Sequence, residues 1–407
     1  MAIHPLYEEK QMNENNIDVA LTLDNNYVVP ISVLITSILE NLDPSRSVTF
    51  HMIVSGFTDK EKSTINKLKN IRDFEVIYYD AEKYIHLFSE VNVSSFKNKY
   101  INLVCYYRLL LFKIIPPEVK KIFYIDGDII VNTDLARIYD TVDDKLAALV
   151  VEVIAMTFRK EGLKHLQNYE EFDKFNKNPM DFPYYNAGFE LINLDKARQY
   201  NMWDRAWDFF HKHPNPPYAD QDIINAIMGQ EHRDEIYILG PEYNVFCTND
   251  IDHKHGHDDA FYPRSSTIEA YANPKILHYA GPDKPWINGR CYYYNIWWDY
   301  AKKTPIQSEI INVAQLSLLK LTKSKNQTNN SNQSSDCITR SEVEWSRKLC
   351  ISMYIYLTLA KTEKIRKAYE EYLRTQPPQK PGKYYAIKSY IGKIKTLIVL
   401  NLRKDQL

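Results

Sequence analysis

Glycine is scarce in this chain, 11 residues in 407. The first apolar run, Ile17 to Leu23, is followed by Asp24-Asn25-Asn26 without a glycine. The glycine-rich turn that wraps a phosphate straight after a first strand is therefore missing. Cysteine is sparse too. Cys105, Cys247, Cys291, Cys337 and Cys350 are odd in number and far apart, with no pair at zinc-ligand spacing. That pattern argues against a disulfide framework and predicts a reducing, cytoplasmic compartment. No apolar run is long enough to span a bilayer. The opening residues, MAIHPLYEEKQMNENN, lack the basic-then-apolar order of a secretory signal. Net charge is almost absent, at −1, but the balance hides two unequal parts. Residues 337–407 carry fifteen Lys and Arg against six Asp and Glu, a net of +9, which leaves −10 on the rest. A basic tail on an acidic body predicts that the tail meets an anionic surface. No nucleic-acid motif accompanies it, so nucleic acid is not the expected partner.

The length suffices for one large α/β domain with an appendage. Strands are predicted at Ile17–Leu23, Val48–Val54, Phe74–Tyr78, Ile122–Ile125, Ala147–Val153, Gly188–Ile192 and Lys275–Leu277. A helix begins near Val28, with Pro30 tolerated in its first turn; it carries Ile31, Leu34, Ile35, Ile38 and Leu39 on one face. Further helices are expected at Thr58–Lys69 and Tyr106–Ile114. Strands alternating with helices predict an α/β fold with a mostly parallel sheet covered on both faces. Ligands gather at the carboxyl ends of such strands.

Asp126-Gly127-Asp128 occupies such an end. Two carboxylates at the exit of a buried strand are costly unless a cation or partner neutralises them, and oxygen ligands suit a hard divalent ion. An acidic turn is the plainer alternative. Two similar triplets, Asp220-Gln221-Asp222 and Asp250-Ile251-Asp252, do not follow a clean apolar strand. Four more stretches stand out: Tyr106-Tyr107-Arg108, Tyr185-Asn186-Ala187-Gly188, Asp220-Gln221-Asp222 ahead of Ile223–Met228, and HYAGPDKPW at 278–286. Singly, each has a structural reading: Arg108 as an ion-pair partner, Asn186 as a turn former, Asp220 or Asp222 as a helix cap, His278 as a core histidine.

In this order the set resembles glycosyltransferase family 8, retaining enzymes of the GT-A fold, across residues 17–300. The resemblance implies a Rossmann-like sheet with a catalytic domain at 17–310. It implies a divalent metal on Asp126, Asp128 and His278, with Mn²⁺ favoured over Mg²⁺ by the imidazole. Lys284 and the backbone at Gly281 would meet the diphosphate of a UDP-hexose. Thr22, Asp24, Asn26 and Tyr27 would hold its uracil and ribose, and Arg108 would orient the donor. Asn186, Asp220 and Gln221 match the donor-sugar pocket, and Glu152 stands where relatives carry an aspartate. The implied activity moves galactose or glucose to a saccharide or lipid-linked saccharide, in bacterial surface polysaccharide or lipopolysaccharide synthesis. Bond cleavage leaves extra negative charge on the diphosphate, which a metal and a lysine stabilise. Gln221 is a poor nucleophile, so front-face attack by the acceptor is expected, with Asp220 as nucleophile the lesser alternative. Two rivals are a sugar-nucleotide pyrophosphorylase, which wants the absent glycine-rich loop, and a non-catalytic nucleotide-sugar-binding protein.

The globular pattern stops near Leu321. Residues 322–336 read as a polar linker. Residues 337–407 read as a basic helical tail, in which Ile387, Tyr390, Ile391, Ile394, Leu397 and Ile398 share one face among lysines. That suits a helix lying on the anionic inner face of the cytoplasmic membrane, or one packed on protein. The histidine-rich stretch 253–259 is expected to be a solvated loop.

Overall fold

Strand β1 (Asn16–Asp24) is flanked by β2 (Ser47–Ser55) and β4 (Lys121–Ile125), and β3 (Glu75–Asp80) extends the sheet beyond β2. These four are parallel. Past β4 come β7 (Tyr185–Asn193), β6 (Ala147–Val151) and β8 (Ile236–Leu239), which gives the order β3-β2-β1-β4-β7-β6-β8. Strand β7 is antiparallel to both neighbours, while β6 and β8 are parallel. The near-continuous apolar runs follow from this placement, since central strands covered on both faces have no solvent side to mark with polar residues. A second sheet is made of β5 (Ile129–Val131), β10 (Ile276–His278) and β9 (Val245–Phe246), in the order β5-β10-β9.

The computed structural model describes residues 15–89, 103–140, 144–152, 163–174, 183–247, 261–287, 291–310 and 312–313. The linker and tail expected beyond residue 321, the stretch 253–259 and the triplet at 250–252 lie outside the described residues. Among the described residues, no helix is long and apolar enough to cross a membrane.

The helix Val28–Asn41 starts where expected, with Pro30 buried in its first turn. It is buried almost all round rather than on one face, because it shares one apolar core with residues of β1 and β2 and also packs on β5 and on the helices Asp59–Asn66 and Tyr294–Ala301. Each fully buried Ile or Leu there contributes about 1.5–3 kcal/mol. Its buried hydroxyls bond backward: Ser32 to Val28 O at 2.7 Å and Thr36 to Ser32 O at 2.8 Å. The segment expected as one helix at Tyr106–Ile114 is instead three short pieces. An α-turn at Leu103–Tyr106 passes into a 3-10 turn at Tyr107–Leu110 and another α-turn at Leu111–Ile114. The tighter middle turn coincides with Arg108, whose buried side chain has fixed partners.

Candidate active site

Backbone pairing assembles the site. Strand β4 pairs with β7 from Lys121↔Asn193 to Ile125↔Phe189, and one more bond, Asp126 N–H to Gly188 O at 2.8 Å, sets Asp126 beside Gly188. Strand β5 pairs with β10 so that His278 stands opposite Ile129, and Tyr279 N–H donates to Asp128 O at 2.9 Å. Residues 150 positions apart in sequence are thereby brought together by register. One oxygen from each of Asp126 and Asp128 and one ring nitrogen of His278 lie within 4.8 Å of one another. Nε2 of His278 is 3.4 Å from Asp128 Oδ1 and 4.0 Å from Asp126 Oδ2.

The rest of the imidazole is fixed. Nδ1 donates to Asn244 Oδ1 at 2.9 Å, because a carbonyl oxygen only accepts. The ring stacks on Phe246, with centroids 5.2 Å apart at 23°. With Nδ1 engaged by Asn244, Nε2 is the ring atom that faces the two carboxylates and the one available to ligate a cation among them. Gly188 makes this approach practicable: a Cβ there would sit 2.5 Å from His278 Cε1. These residues fit a divalent cation in number, type and orientation.

The loop after β10 returns to the same point. Gly281 turns it at φ +82°, a conformation that side-chain-bearing residues rarely adopt. Lys284 is buried, donates to Tyr279 O at 2.6 Å and pairs with Asp128 Oδ2. Burial alone would raise the Asp128 carboxyl, but Lys284 and His278 outweigh it and hold that group well below the usual range. Trp286 packs edge-on to Tyr27 at 6.1 Å and against Trp297 at 5.3 Å. Burial, then the charges of Asp128 and Asp126, push the Tyr27 hydroxyl well above its ordinary value, so it stays a neutral phenol. Asp24 accepts from Asn26 N–H at 2.9 Å and from Asn26 Nδ2 at 3.1 Å. The Thr22 hydroxyl meets Tyr124 OH at 2.8 Å.

A second group lies along β7. Asn186 Nδ2 donates to Glu152 Oε2 at 2.7 Å and to Gln221 Oε1 at 3.1 Å; its Oδ1 accepts from Gly188 N–H at 2.8 Å. Gln221 Oε1 also accepts from Ala187 N–H at 3.1 Å. Asn225 locks this helix onto the strand by two bonds to the Tyr185 backbone, at 2.7 and 2.8 Å. The helix that opens at Asp220 passes after Ile224 into a turn of π-helix, Asn225–Gln230. Asp222 points the other way. It is fully buried and accepts from Tyr184 OH at 2.6 Å and pairs with His165 Nε2 at 2.9 Å.

Arg108 joins the two groups. It is buried, with Nη2 2.8 Å from Asp126 Oδ1, Nε 2.6 Å from Asp220 Oδ2, and Nη1 donating to Ala187 O. Burial pushes the Asp220 carboxyl up to about 7, with Arg108 opposing and Asp126 adding to the rise. Of the residues singled out in the sequence, Asp126, Asp128, His278 and Lys284 come together in one group, and Glu152, Asn186 and Gln221 in the other, with Arg108 reaching Asp126 and Asp220 between them. Sequence reasoning missed Asn244 and Phe246, which set the histidine, along with Tyr124 and Glu190. Glu190 did leave a signal, a lone carboxylate inside the apolar run GFELI.

A mostly parallel sheet with paired aspartates past the end of β4, met by a histidine from a small second sheet, is the arrangement of a GT-A glycosyltransferase fold. Solved structures share it. The apo bifunctional glycosyltransferase WbbM matches with a TM-score of 0.60 and 21% identity over 77% of this chain, which spans 53% of that one. The galactosyltransferase LgtC, in complex with donor and acceptor sugar analogs, matches with a TM-score of 0.57 and 21% identity over 71% of this chain and 96% of its own. The chain belongs to glycosyl transferase family 8, whose model matches residues 18–289. General stress protein A of Bacillus subtilis is 26% identical over 269 residues, covering 65% of this chain and 85% of that protein. An Escherichia coli lipopolysaccharide 1,2-glucosyltransferase is 26% identical over 275 residues, covering 66% and 73%.

Proposed function

We propose that this glycosyltransferase moves galactose or glucose from a UDP-sugar to a saccharide acceptor, in a metal-dependent reaction that retains the anomeric configuration. The observation that carries the reading is the convergence of Asp126, Asp128 and His278 beside Lys284. Asp126, Asp128 and His278 would hold the metal, with Mn²⁺ preferred and Mg²⁺ the alternative. When bound, the metal supplies positive charge to the departing diphosphate. Lys284 adds a second charge there, and the open turn at Gly281 leaves backbone within reach of phosphate oxygens. Thr22, Asp24, Asn26 and Tyr27, at the carboxyl end of β1, would receive the uridine. Glu152, Asn186, Asp220 and Gln221 would line the donor-sugar pocket, and Arg108 would orient the donor through Asp126 and Asp220.

Asp220 is a weak nucleophile in this setting, because its carboxyl is buried and paired with Arg108. Gln221 presents a carbonyl dipole rather than a charge. Both features favour front-face attack by the acceptor, with the departing phosphate taking its proton. Similarity to a lipopolysaccharide glucosyltransferase supports a bacterial surface saccharide, free or lipid-linked, as acceptor. In this reading residues 17–310 are catalytic, 322–336 are a linker, and the basic tail 337–407 holds a cytoplasmic enzyme at the inner membrane face.

A panel of UDP-sugars, scored by released UDP with Mn²⁺ and after chelation, tests the reading. Release from UDP-galactose or UDP-glucose that stops on chelation is expected. Formation of UTP from UDP-sugar and pyrophosphate would mark a pyrophosphorylase instead, and donor binding without turnover would mark a binding protein.

A further inference from the structure

Each edge of the Arg108 guanidinium has its own partner. Nε faces Asp220 at 2.6 Å and Nη2 faces Asp126 at 2.8 Å. Nη1 donates to Ala187 O and lies 3.7 Å from Glu190 Oε1. The flat of the group lies over Tyr124, 3.8 Å from its ring centroid. Glu190 is the unexpected member. It sits on β7 opposite Tyr124 of β4, and it is 1% exposed. Neither of its oxygens has a hydrogen-bond partner among the described residues. A buried carboxyl left in that state destabilises the fold. The residues around it, Phe189, Leu191 and Ile192, are apolar core. A leucine would suit that strand better, so stability does not account for the glutamate.

We propose that Glu190 is a positioning residue for the transfer reaction: it draws the Nη1 edge of Arg108 toward β7, so that the other two edges hold Asp126 and Asp220 at a fixed separation. The inference rests on the reading of Asp126 as a metal ligand and of Asp220 as part of the donor-sugar pocket. Those two carboxylates arise from different elements, the end of β4 and the helix Asp220–Ile224, and Arg108 hydrogen-bonds to Asp126 and ion-pairs with Asp220. Without Glu190, the Nη1 edge keeps only the Ala187 carbonyl, and the guanidinium can turn over the Tyr124 ring. Displacing reacting groups by about 1 Å costs on the order of a hundredfold in rate. Burial pushes the Glu190 carboxyl up to about 8, with Arg108 opposing. A neutral amide of the same shape is therefore the conservative replacement.

The full-length chain carrying Glu190→Leu, Glu190→Gln or Glu190→Asp tests this, with wild-type turnover on the UDP-sugar panel as control. Glu190→Leu is expected to raise Tm while kcat falls about tenfold or more and donor KM moves less than about threefold. Glu190→Gln should keep kcat within about threefold of wild type. Glu190→Asp withdraws the carboxyl by one methylene and should lower kcat about tenfold without gaining stability; it decides the matter should the leucine variant not fold. Wild-type kcat in Glu190→Leu or Glu190→Asp would overturn the inference and leave the UDP-sugar reading intact. A wild type that releases UDP from no sugar nucleotide overturns both.

Discussion

Asp128 is the residue on which the turn after β4 and the loop after β10 meet. It reaches His278 on β10 and Lys284 on the following loop, while its own backbone carbonyl binds Tyr279. Its depressed carboxyl stays ionised throughout the neutral range, so the site keeps a full negative charge there. Asp128→Asn keeps the shape and removes that charge. Transfer is expected to fall by about 10²-fold or more, with the circular dichroism spectrum unchanged and thermal stability lowered by the loss of the Lys284 pair. Mn²⁺-dependent turnover near the wild-type rate would contradict the assignment of Asp128 as a metal ligand. Lys284 and Asp128 also illustrate why residue types alone were insufficient: each is an ordinary surface charge by identity, and only the β5–β10 register makes them a buried pair.

The ends of β4 and β10 meet β7 at Gly188, whose carbonyl accepts from Asp126 N–H and whose missing side chain leaves room for the His278 ring. Gly188→Ala would place a methyl 2.5 Å from His278 Cε1, which forces the ring away from the aspartates. The Mn²⁺ concentration for half activity is expected to rise about tenfold, with secondary structure intact. A Mn²⁺ titration that superimposes on wild type would show that the ring is not a ligand or that the strands give way. The elements that build this junction differ in how far the sequence displayed them. Strands β1, β2 and β4 are long apolar runs bounded by polar residues, and their predicted limits fall within one residue of those observed. Strands β8 and β9 have four and two residues, too short to carry a period. The antiparallel direction of β7 was also hidden, because a strand buried on both faces reads the same either way. Asp126, Asp128, His278 and Lys284 were legible through the order of their motifs. Asn244, Phe246 and Tyr124 were not, since each belongs to no motif and acts through a neighbour.

At the scale of the whole chain, charge is the main unexplained feature, with −10 on residues 1–336 against +9 on residues 337–407. All proposed catalytic residues precede Trp286 in sequence, so deletion of 337–407 should leave donor hydrolysis largely unchanged. The same deletion should reduce transfer to a membrane-embedded acceptor and abolish co-sedimentation with anionic liposomes, where each nearby Lys or Arg contributes roughly 1 kcal/mol. Equal liposome binding by full-length and truncated protein would make the tail a packing or oligomerisation element. The central claim is that this family 8 fold transfers a sugar with retention, by front-face attack and without a charged nucleophile. It is tested most directly by the anomeric proton coupling of the product in an NMR spectrum. From an α-linked UDP-galactose or UDP-glucose the account predicts the small coupling of an α-linked sugar; the large coupling of a β-linked sugar would contradict it.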